Sequence, residues 1–273
     1  MTATVRSALF VPASRPDRFE KALAAGADAV IIDLEDAVEH DVKDTARQHV
    51  SDFAKAHPQT SFLVRVNGAT TPWFADDLAM CTRFSAISGI LLPKAESAQQ
   101  IGQAAATGKP VLPIVESAAG VLALDQMSAA PGVQRLSFGS LDLMLELGTT
   151  PDTAGAQLLL DHIRCQILLH SAAHRLAPPL DGVYPDFANK EGLAAVARQV
   201  RDMGFAGMLC IHPAQVAVIH SVFAPSQADL DWAKRVATIA AQTGSSAFQL
   251  DGKMIDAPVI ERARRMLASQ ATA

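Results

Sequence analysis

Short apolar runs alternate with helically spaced segments along most of the chain. Ser7–Val11 (SALFV), Ala29–Leu34 (AVIIDL), Phe62–Val66 (FLVRV), Gly89–Leu92 (GILL), Val111–Val115 (VLPIV), Arg135–Phe138 (RLSF), Leu180–Val183 (LDGV) and Gly207–Ile211 (GMLCI) read as eight strands. Near-continuous apolarity is the pattern of parallel strands covered on both faces. A helical pattern follows each one: Arg15–Ala25, about 41–56, Trp73–Cys81, Ser97–Ala106, Ala118–Met127, Ala154–Arg175, Glu191–Met203 and Gln215–Phe223. Eight strand–helix units predict an α/β fold, a (β/α)8 TIM barrel over residues 1–223, with a doubly wound open sheet as the alternative. Residues 224–273 read as a proline-led helix, a turn at DGKMID and a last helix, a C-terminal helical extension rather than a separate domain.

Composition agrees with one large α/β unit. The chain has 273 residues, 49% of them hydrophobic and 19% charged, which is the composition of a globular protein. Its net charge of −5, with no basic run, disfavours nucleic acid or an anionic membrane as a partner. Three scattered cysteines form neither a disulfide framework nor a zinc spacing. No apolar run is long enough for a membrane span, so a cytoplasmic location is expected.

Polar residues gather at one position in each unit, the C-terminal end of the strand. They are Asp33 and Glu35 after the second strand, Arg65 and Asn67 at the third, Lys94 after the fourth and Glu116 after the fifth. Asp142, Asp181 and His212 follow the sixth, seventh and eighth. In a barrel these ends converge on the face where active sites lie. Each has a plainer reading: Asp33, Glu35 and Asp36 as helix caps or ion-pair partners, Lys94 as a solvated strand-end lysine. Arg65 in a central strand needs an anionic partner, which Asp33, Glu35 or a substrate would supply. Glu116 and Asp142 at neighbouring strand ends would repel without a cation or proton between them. An all-oxygen donor set favours Mg2+ or Mn2+ over zinc. Gly120 and Gly139 either let backbone approach a ligand or serve turns. His170 and His174 have a zinc-compatible i,i+4 spacing, but no third ligand is evident in the sequence.

The segments RSALFVPASRPDRFEKALAAGADAVIIDLEDAV, VRVNG, GILLPKAES, PIVESAAGV, LSFGSLDL, DGVYPDF, GFAGMLCIHPAQV and DGKMIDAPV together resemble the citrate lyase β-subunit-like family of the HpcH/HpaI aldolase superfamily. The resemblance implies a (β/α)8 barrel, Mg2+ dependence and a homotrimer or hexamer. It also implies carbon–carbon lyase chemistry that cleaves malyl-, citramalyl- or citryl-CoA to acetyl-CoA and a 2-oxo acid. Glu116 and Asp142 match the family's metal-binding carboxylates, and Arg65 the arginine that binds the 2-oxo acid carboxylate. Asp33, Glu35 and Asp36 match the acidic motif beside that site, and Arg15 and Lys21 match positions that some relatives use for CoA phosphates. Asp256 of GKMID matches an aspartate supplied as acid/base to a neighbouring subunit's site, so residues 224–273 are expected to serve the oligomer and an active-site lid. The chain departs from the family pattern at Met208, often lysine, and Asn189, often aspartate. The resemblance leaves two further readings: a citrate lyase β subunit acting on an acyl-carrier thioester, and a non-catalytic barrel that binds 2-oxo acid or CoA.

Overall fold

The computed structural model describes residues 5–244 and 246–270. Eight parallel strands close into a barrel in chain order. They are β1 (Ser7–Pro12), β2 (Ala29–Asp33), β3 (Phe62–Arg65), β4 (Ile87–Leu92), β5 (Val111–Val115), β6 (Arg135–Phe138), β7 (Ala177–Asp181) and β8 (Gly207–Cys210). The barrel closes where Ser7 and Leu9 of β1 pair with Met208 and Cys210 of β8. The connecting helices are α1 (Phe19–Leu23), α2 (Lys43–Ala56), α3 (Phe74–Arg83), α4 (Ala98–Ala105), α5 (Ala118–Leu122) and α6 (Leu124–Ala129), then α7 (Ser140–Glu146), α8 (Ala154–Ala173), α9 (Lys190–Met203) and α10 (Pro213–Phe223). The closed ring excludes the open-sheet alternative.

Strand side chains alternate between the two faces of the barrel wall. One row forms an apolar cluster of Ala8, Ile31, Leu91, Leu112, Ile114, Leu180 and Leu209, with Phe10, Ala29 and Leu63 packed against it. At three strands this same alternate row ends in a charge. Ala29 and Ile31 lead to Asp33, Leu63 leads to Arg65, and Leu112 and Ile114 lead to Glu116. The oily interior therefore hands over to ionisable groups at the C-terminal rim. Register sets which of them meet: Asp33 and Arg65 are direct partners across β2 and β3. Val115 pairs with Phe138, so Glu116 stands beside Gly139.

Three local expectations change. β7 begins at Ala177, upstream of the expected Leu180, and runs through Pro178 and Pro179. The β6–β7 register shifts by one residue between Arg135 and Ser137. Such an irregularity tolerates prolines, which have no N–H for the ladder, while the Pro179 carbonyl still accepts from Ala206 N at 2.9 Å. The segment Ala118–Met127 is not one helix, because it breaks at Ala123 between α5 and α6. The polar end of LSFGSLDL is helical, so Asp142 projects from the first turn of α7 rather than from a strand end.

By its contacts the chain divides into two compact units, Val5–Ser221 and the residues from Val222 onward. The second unit contains α11 (Gln227–Thr243), an antiparallel hairpin of β9 (Phe248–Leu250) and β10 (Lys253–Ile255), and α12 (Ala257–Gln270). A capping box of Ser226 and Asp229 opens α11. The hairpin turns at Asp251 and Gly252, both at positive φ, as a two-residue primed turn requires. Ala233, Val236 and Ala240 of α11 pack with Ile255, Ile260 and Ala263, a small core that neither helix has alone. Among the described residues no helix is long and apolar enough to cross a membrane.

Asp181, one of the strand-end acids, is used for packing. It is buried and receives Arg164 of α8 through Nε at 3.0 Å and Nη2 at 3.1 Å. Burial pushes the Asp181 carboxyl up, against the opposing pull of Arg164. Removing one partner of a buried pair leaves the other charge uncompensated. Asp181→Ala is expected to cost about 3 kcal/mol in urea unfolding; a loss below about 1 kcal/mol, typical of exposed pairs, would show that the pair is not holding α8 to the barrel.

Candidate active site

Beside Ile114 and Leu209, a cavity of about 390 Å³ opens over the C-terminal ends of the strands. Its charged lining is Asp33, Asp36, Arg65, Glu116 and Asp142, with Ser140 beside them, and its apolar lining includes Phe10, Phe138 and Val183. A second recess of about 350 Å³ also reaches Glu116 and Asp142, together with Lys94 and Ser117. The two carboxylates therefore border both spaces.

Arg65 is held from three sides. Its Nε and Nη2 each donate to Asp33 at 2.6 Å, and its Cζ lies 4.8 Å from the centre of the Phe10 ring. Nη1 is 2.9 Å from Glu35 Oε2 and 3.6 Å from Asp36 Oδ2. Burial opposes the Arg65 charge, but Asp33, Glu35 and Asp36 outweigh it and raise the guanidinium pKa. Asp33 is anchored in turn by the backbone N–H of Glu35 at 2.9 Å. Of the five guanidinium donors, Asp33 takes the side-on pair, and one N–H on each Nη remains for an end-on partner.

Lys94 has φ 48°, a left-handed conformation that a side chain adopts at a cost and that clusters at functional sites. That turn lets one residue serve three acids. Its backbone N–H donates to Glu116 Oε1 at 2.6 Å, while its ammonium pairs with Glu35 and lies 3.3 Å from Asp36. Lys43 completes the cationic set by donating to the carbonyls of Leu34 and Glu35, each at 2.7 Å.

Glu116 is 5% exposed and, among the described residues, receives no side-chain cation directly. Burial pushes its pKa up to about 8; the Lys94 N–H opposes the rise, and the charges of Glu35 and Asp142 add to it. Gly139 makes its position possible. A Cβ there would lie 2.4 Å from Glu116 Oε2 and 2.5 Å from Glu116 Cβ, so this glycine admits the carboxylate and is not merely a turn residue.

The donor set fits a hard divalent ion on three counts. Asp33, Glu35, Asp36, Glu116 and Asp142 give five carboxylates against the three cations Lys43, Arg65 and Lys94, an excess of two negative charges. Glu35 Oε2 is buried without a hydrogen-bond donor, its approach to Arg65 being an ion pair at an angle unsuited to a hydrogen bond. Among the described residues none donates to the Asp142 carboxylate, which leaves its oxygens available in the cavity wall.

A family profile described as HpcH/HpaI aldolase/citrate lyase matches residues 6–213. A citrate lyase subunit beta-like protein of Deinococcus radiodurans is 37% identical, with 98% of each chain covered. The chain belongs to the HpcH/HpaI aldolase/citrate lyase family. Another relative, the (3S)-malyl-CoA thioesterase of Cereibacter sphaeroides, is 38% identical over 96% of this chain and 93% of its own. Among solved structures, the CitE protein of Mycobacterium tuberculosis in complex with magnesium, acetoacetate and coenzyme A matches with a TM-score of 0.86 and 34% identity, covering 99% of this chain and all of that one.

Within this family member the anticipated residues separate into groups. Asp33, Glu35, Asp36, Arg65, Lys94, Glu116 and Asp142 come together. Arg15 and Lys21 do not line the cavity: both are exposed, and Arg15 is held by Asp17 through two contacts of 2.9 Å. Asp256 belongs to the C-terminal unit, where its carboxylate accepts from Val259 N at 3.4 Å at the start of α12. Asn67 turns to Asp77, donating from Nδ2 at 2.7 Å, and His212 stacks on Phe187 at 4.7 Å. Sequence reading missed Lys43, whose place in the second helix gives no sign that its ammonium folds back under the acidic loop.

The burial of Glu116, with the neighbouring acids adding to it, predicts a pH effect. A carboxyl whose pKa rises from about 4.5 unfolded to about 8 folded lowers stability progressively as pH rises through that interval. Metal-free Glu116→Gln is therefore expected to melt several degrees higher than the parent at pH 9 and little differently at pH 4.5. Added Mg2+ should raise the melting temperature of the parent only. A variant that is less stable than the parent at pH 9 without metal would contradict this reading of Glu116.

Proposed function

We propose that this protein is a Mg2+-dependent carbon–carbon lyase. It would cleave a 3-hydroxy-3-carboxylated acyl-CoA of the malyl-, citramalyl- or citryl-CoA type to acetyl-CoA and a 2-oxo acid by retro-Claisen chemistry. The observation that carries the reading is the pair Glu116 and Asp142, bordering one cavity with Arg65 and carrying more negative charge than the local cations balance. Oxygen donors of this kind suit Mg2+, or Mn2+ in its place. The solved relative that binds magnesium, acetoacetate and coenzyme A supports the same cofactor and a substrate that contains CoA.

Bound Mg2+ would supply Lewis-acid stabilisation, worth several kcal/mol, of the negative charge on the substrate's C3 oxygen once its hydroxyl proton has passed to solvent, the oxygen that becomes the 2-oxo group as the carbon–carbon bond breaks. Glu116 and Asp142 would hold it. Arg65, with its side-on donors taken by Asp33, would meet the substrate carboxylate through the end-on pair and fix its orientation. Glu35 and Asp36 would keep Arg65 and Lys94 in place. Because Glu116 and Asp142 border two recesses, a 2-oxo acid moiety and a thioester arm can occupy adjoining spaces.

Asp256 would then protonate the enolate carbon released by cleavage, giving acetyl-CoA, and would remove the methyl proton in condensation. It would do so in a neighbouring subunit's site, with residues 224–273 contributing to a homotrimer or hexamer and to a lid. Arg15 and Lys21, exposed beyond β1, would contact CoA phosphates. A cytoplasmic location fits such a substrate. The (3S)-malyl-CoA thioesterase relative favours a second reading, in which the thioester itself is hydrolysed.

A panel of malyl-, citramalyl- and citryl-CoA with Mg2+, followed by 2-oxo acid and free thiol, separates these readings. A lyase releases 2-oxo acid without free CoA thiol, a thioesterase releases the thiol, and a carrier-dependent β subunit turns over none of them alone. Glu116→Gln and Asp142→Asn are each expected to lower 2-oxo acid release at least 100-fold, the scale of losing metal-assisted charge stabilisation. Asp256→Ala should abolish cleavage while retaining Mg2+ and pyruvate binding. Mixing Asp256→Ala with Glu116→Gln chains should restore part of the activity through hybrid sites. Full activity of Asp256→Ala would refute its role, and no recovery in the mixture would refute action across subunits.

A further inference from the structure

His170, in the last turn of α8, and His174, its C-cap, acquire in three dimensions the third ligand that the sequence did not reveal. Helices α6 and α8 pack side by side, with Leu124 and Met127 of α6 and Ile163, Ile167 and Ser171 of α8 buried. Asp125, in the first turn of α6, is thereby placed against the C-terminal end of α8, where His170 and the capping His174 lie. Asp125 Oδ1 is 2.9 Å from His174 Nε2 and 3.7 Å from His170 Nδ1. The two imidazoles lie nearly parallel, 10° apart with ring centres at 6.4 Å. One ligand atom from each of the three residues falls within 4.8 Å of the others.

That spacing suits a cation. Bonds of about 2.0–2.1 Å to a tetrahedral zinc put neighbouring ligand atoms about 3.3 Å apart, between the two oxygen–nitrogen distances observed. Each histidine side chain is about a quarter exposed, 27% and 26%, so packing already restricts the rings. The Asp125 carboxylate is 78% exposed and can swing to complete the set with water beyond it. Two imidazoles and one carboxylate select borderline transition ions over Mg2+, which prefers oxygen. This differs in kind from the all-oxygen group at the cavity.

We propose that Asp125, His170 and His174 form a second metal site, selective for Zn2+ or a similar transition ion. It clamps α6 to α8 at the end of α8 that leads into the start of β7, toward the rim opposite the catalytic cavity. Its effect is on stability. Since none of the three residues lines the cavity, turnover with Mg2+ is expected to be independent of it.

The test is a Zn2+ titration of the full chain in a large excess of Mg2+, which keeps the cavity occupied, read by calorimetry and by melting temperature. One equivalent of Zn2+ should bind and raise the melting temperature. His170→Ala and His174→Ala should each weaken that binding at least tenfold and remove the thermal shift, with Mg2+-dependent activity unchanged. Glu116→Gln should retain both Zn2+ responses, so the outcome does not depend on the lyase assignment. No Zn2+ binding by the parent, equal binding by the histidine variants, or loss of the response in Glu116→Gln would each overturn the proposal.

Discussion

Five carboxylates converge at the C-terminal rim of the barrel, and three cations answer them. The structure around the cavity is organised by that inequality. Asp33 is satisfied by Arg65 and the Glu35 N–H, while Glu35 is ion-paired with Arg65 and Lys94 and still leaves Oε2 without a donor. Among the described residues Glu116 and Asp142 receive no such side-chain partner, and Glu116 carries a carboxyl pushed up to about 8 by burial. Buried charge without a counter-charge is costly and resolves by neutralisation or by pairing. A proton meets the requirement for the protein alone; a divalent ion meets it more completely, because the excess is two charges.

Barrel geometry concentrates these groups. Parallel register makes Asp33 and Arg65 neighbours, and the alternation of side chains puts Asp33, Arg65 and Glu116 on the rows that lower down pack Ile31, Leu63 and Ile114 together. The left-handed turn at Lys94 lets its N–H reach Glu116 while its ammonium reaches Glu35. Gly139 leaves the volume that Glu116 needs. Each device acts on the same two or three carboxylates, so a change at one should be felt at the others.

The barrel and the charged rim were legible in the sequence because both follow from local patterns. Apolar runs marked the strands, and a charge at the end of a run marked the rim. Legibility failed where tertiary contacts decide. Asp181 looked equivalent to Glu116, yet Arg164 arrives from α8 and makes it structural. Pro178 and Pro179 hid the start of β7, since a register shift that tolerates them cannot be read from one strand. Asp142 belongs to a helix of seven residues, too short to show periodicity. Lys43 and Asp125 each act on residues of other elements, and spacing along the chain does not announce such meetings.

Counting protons shows whether the cavity carboxylates are short of counter-charge until a divalent ion binds. Calorimetric titration of Mg2+ into the protein at pH 7, in buffers of different ionisation enthalpy, gives the number of protons displaced per ion. With burial pushing the Glu116 carboxyl up to about 8 in the metal-free protein, release is expected to approach one proton per Mg2+ at pH 7 and to fall away above about pH 9. Mg2+ binding without proton release at pH 7 would contradict it, because Glu116 would then already be ionised and balanced without the metal.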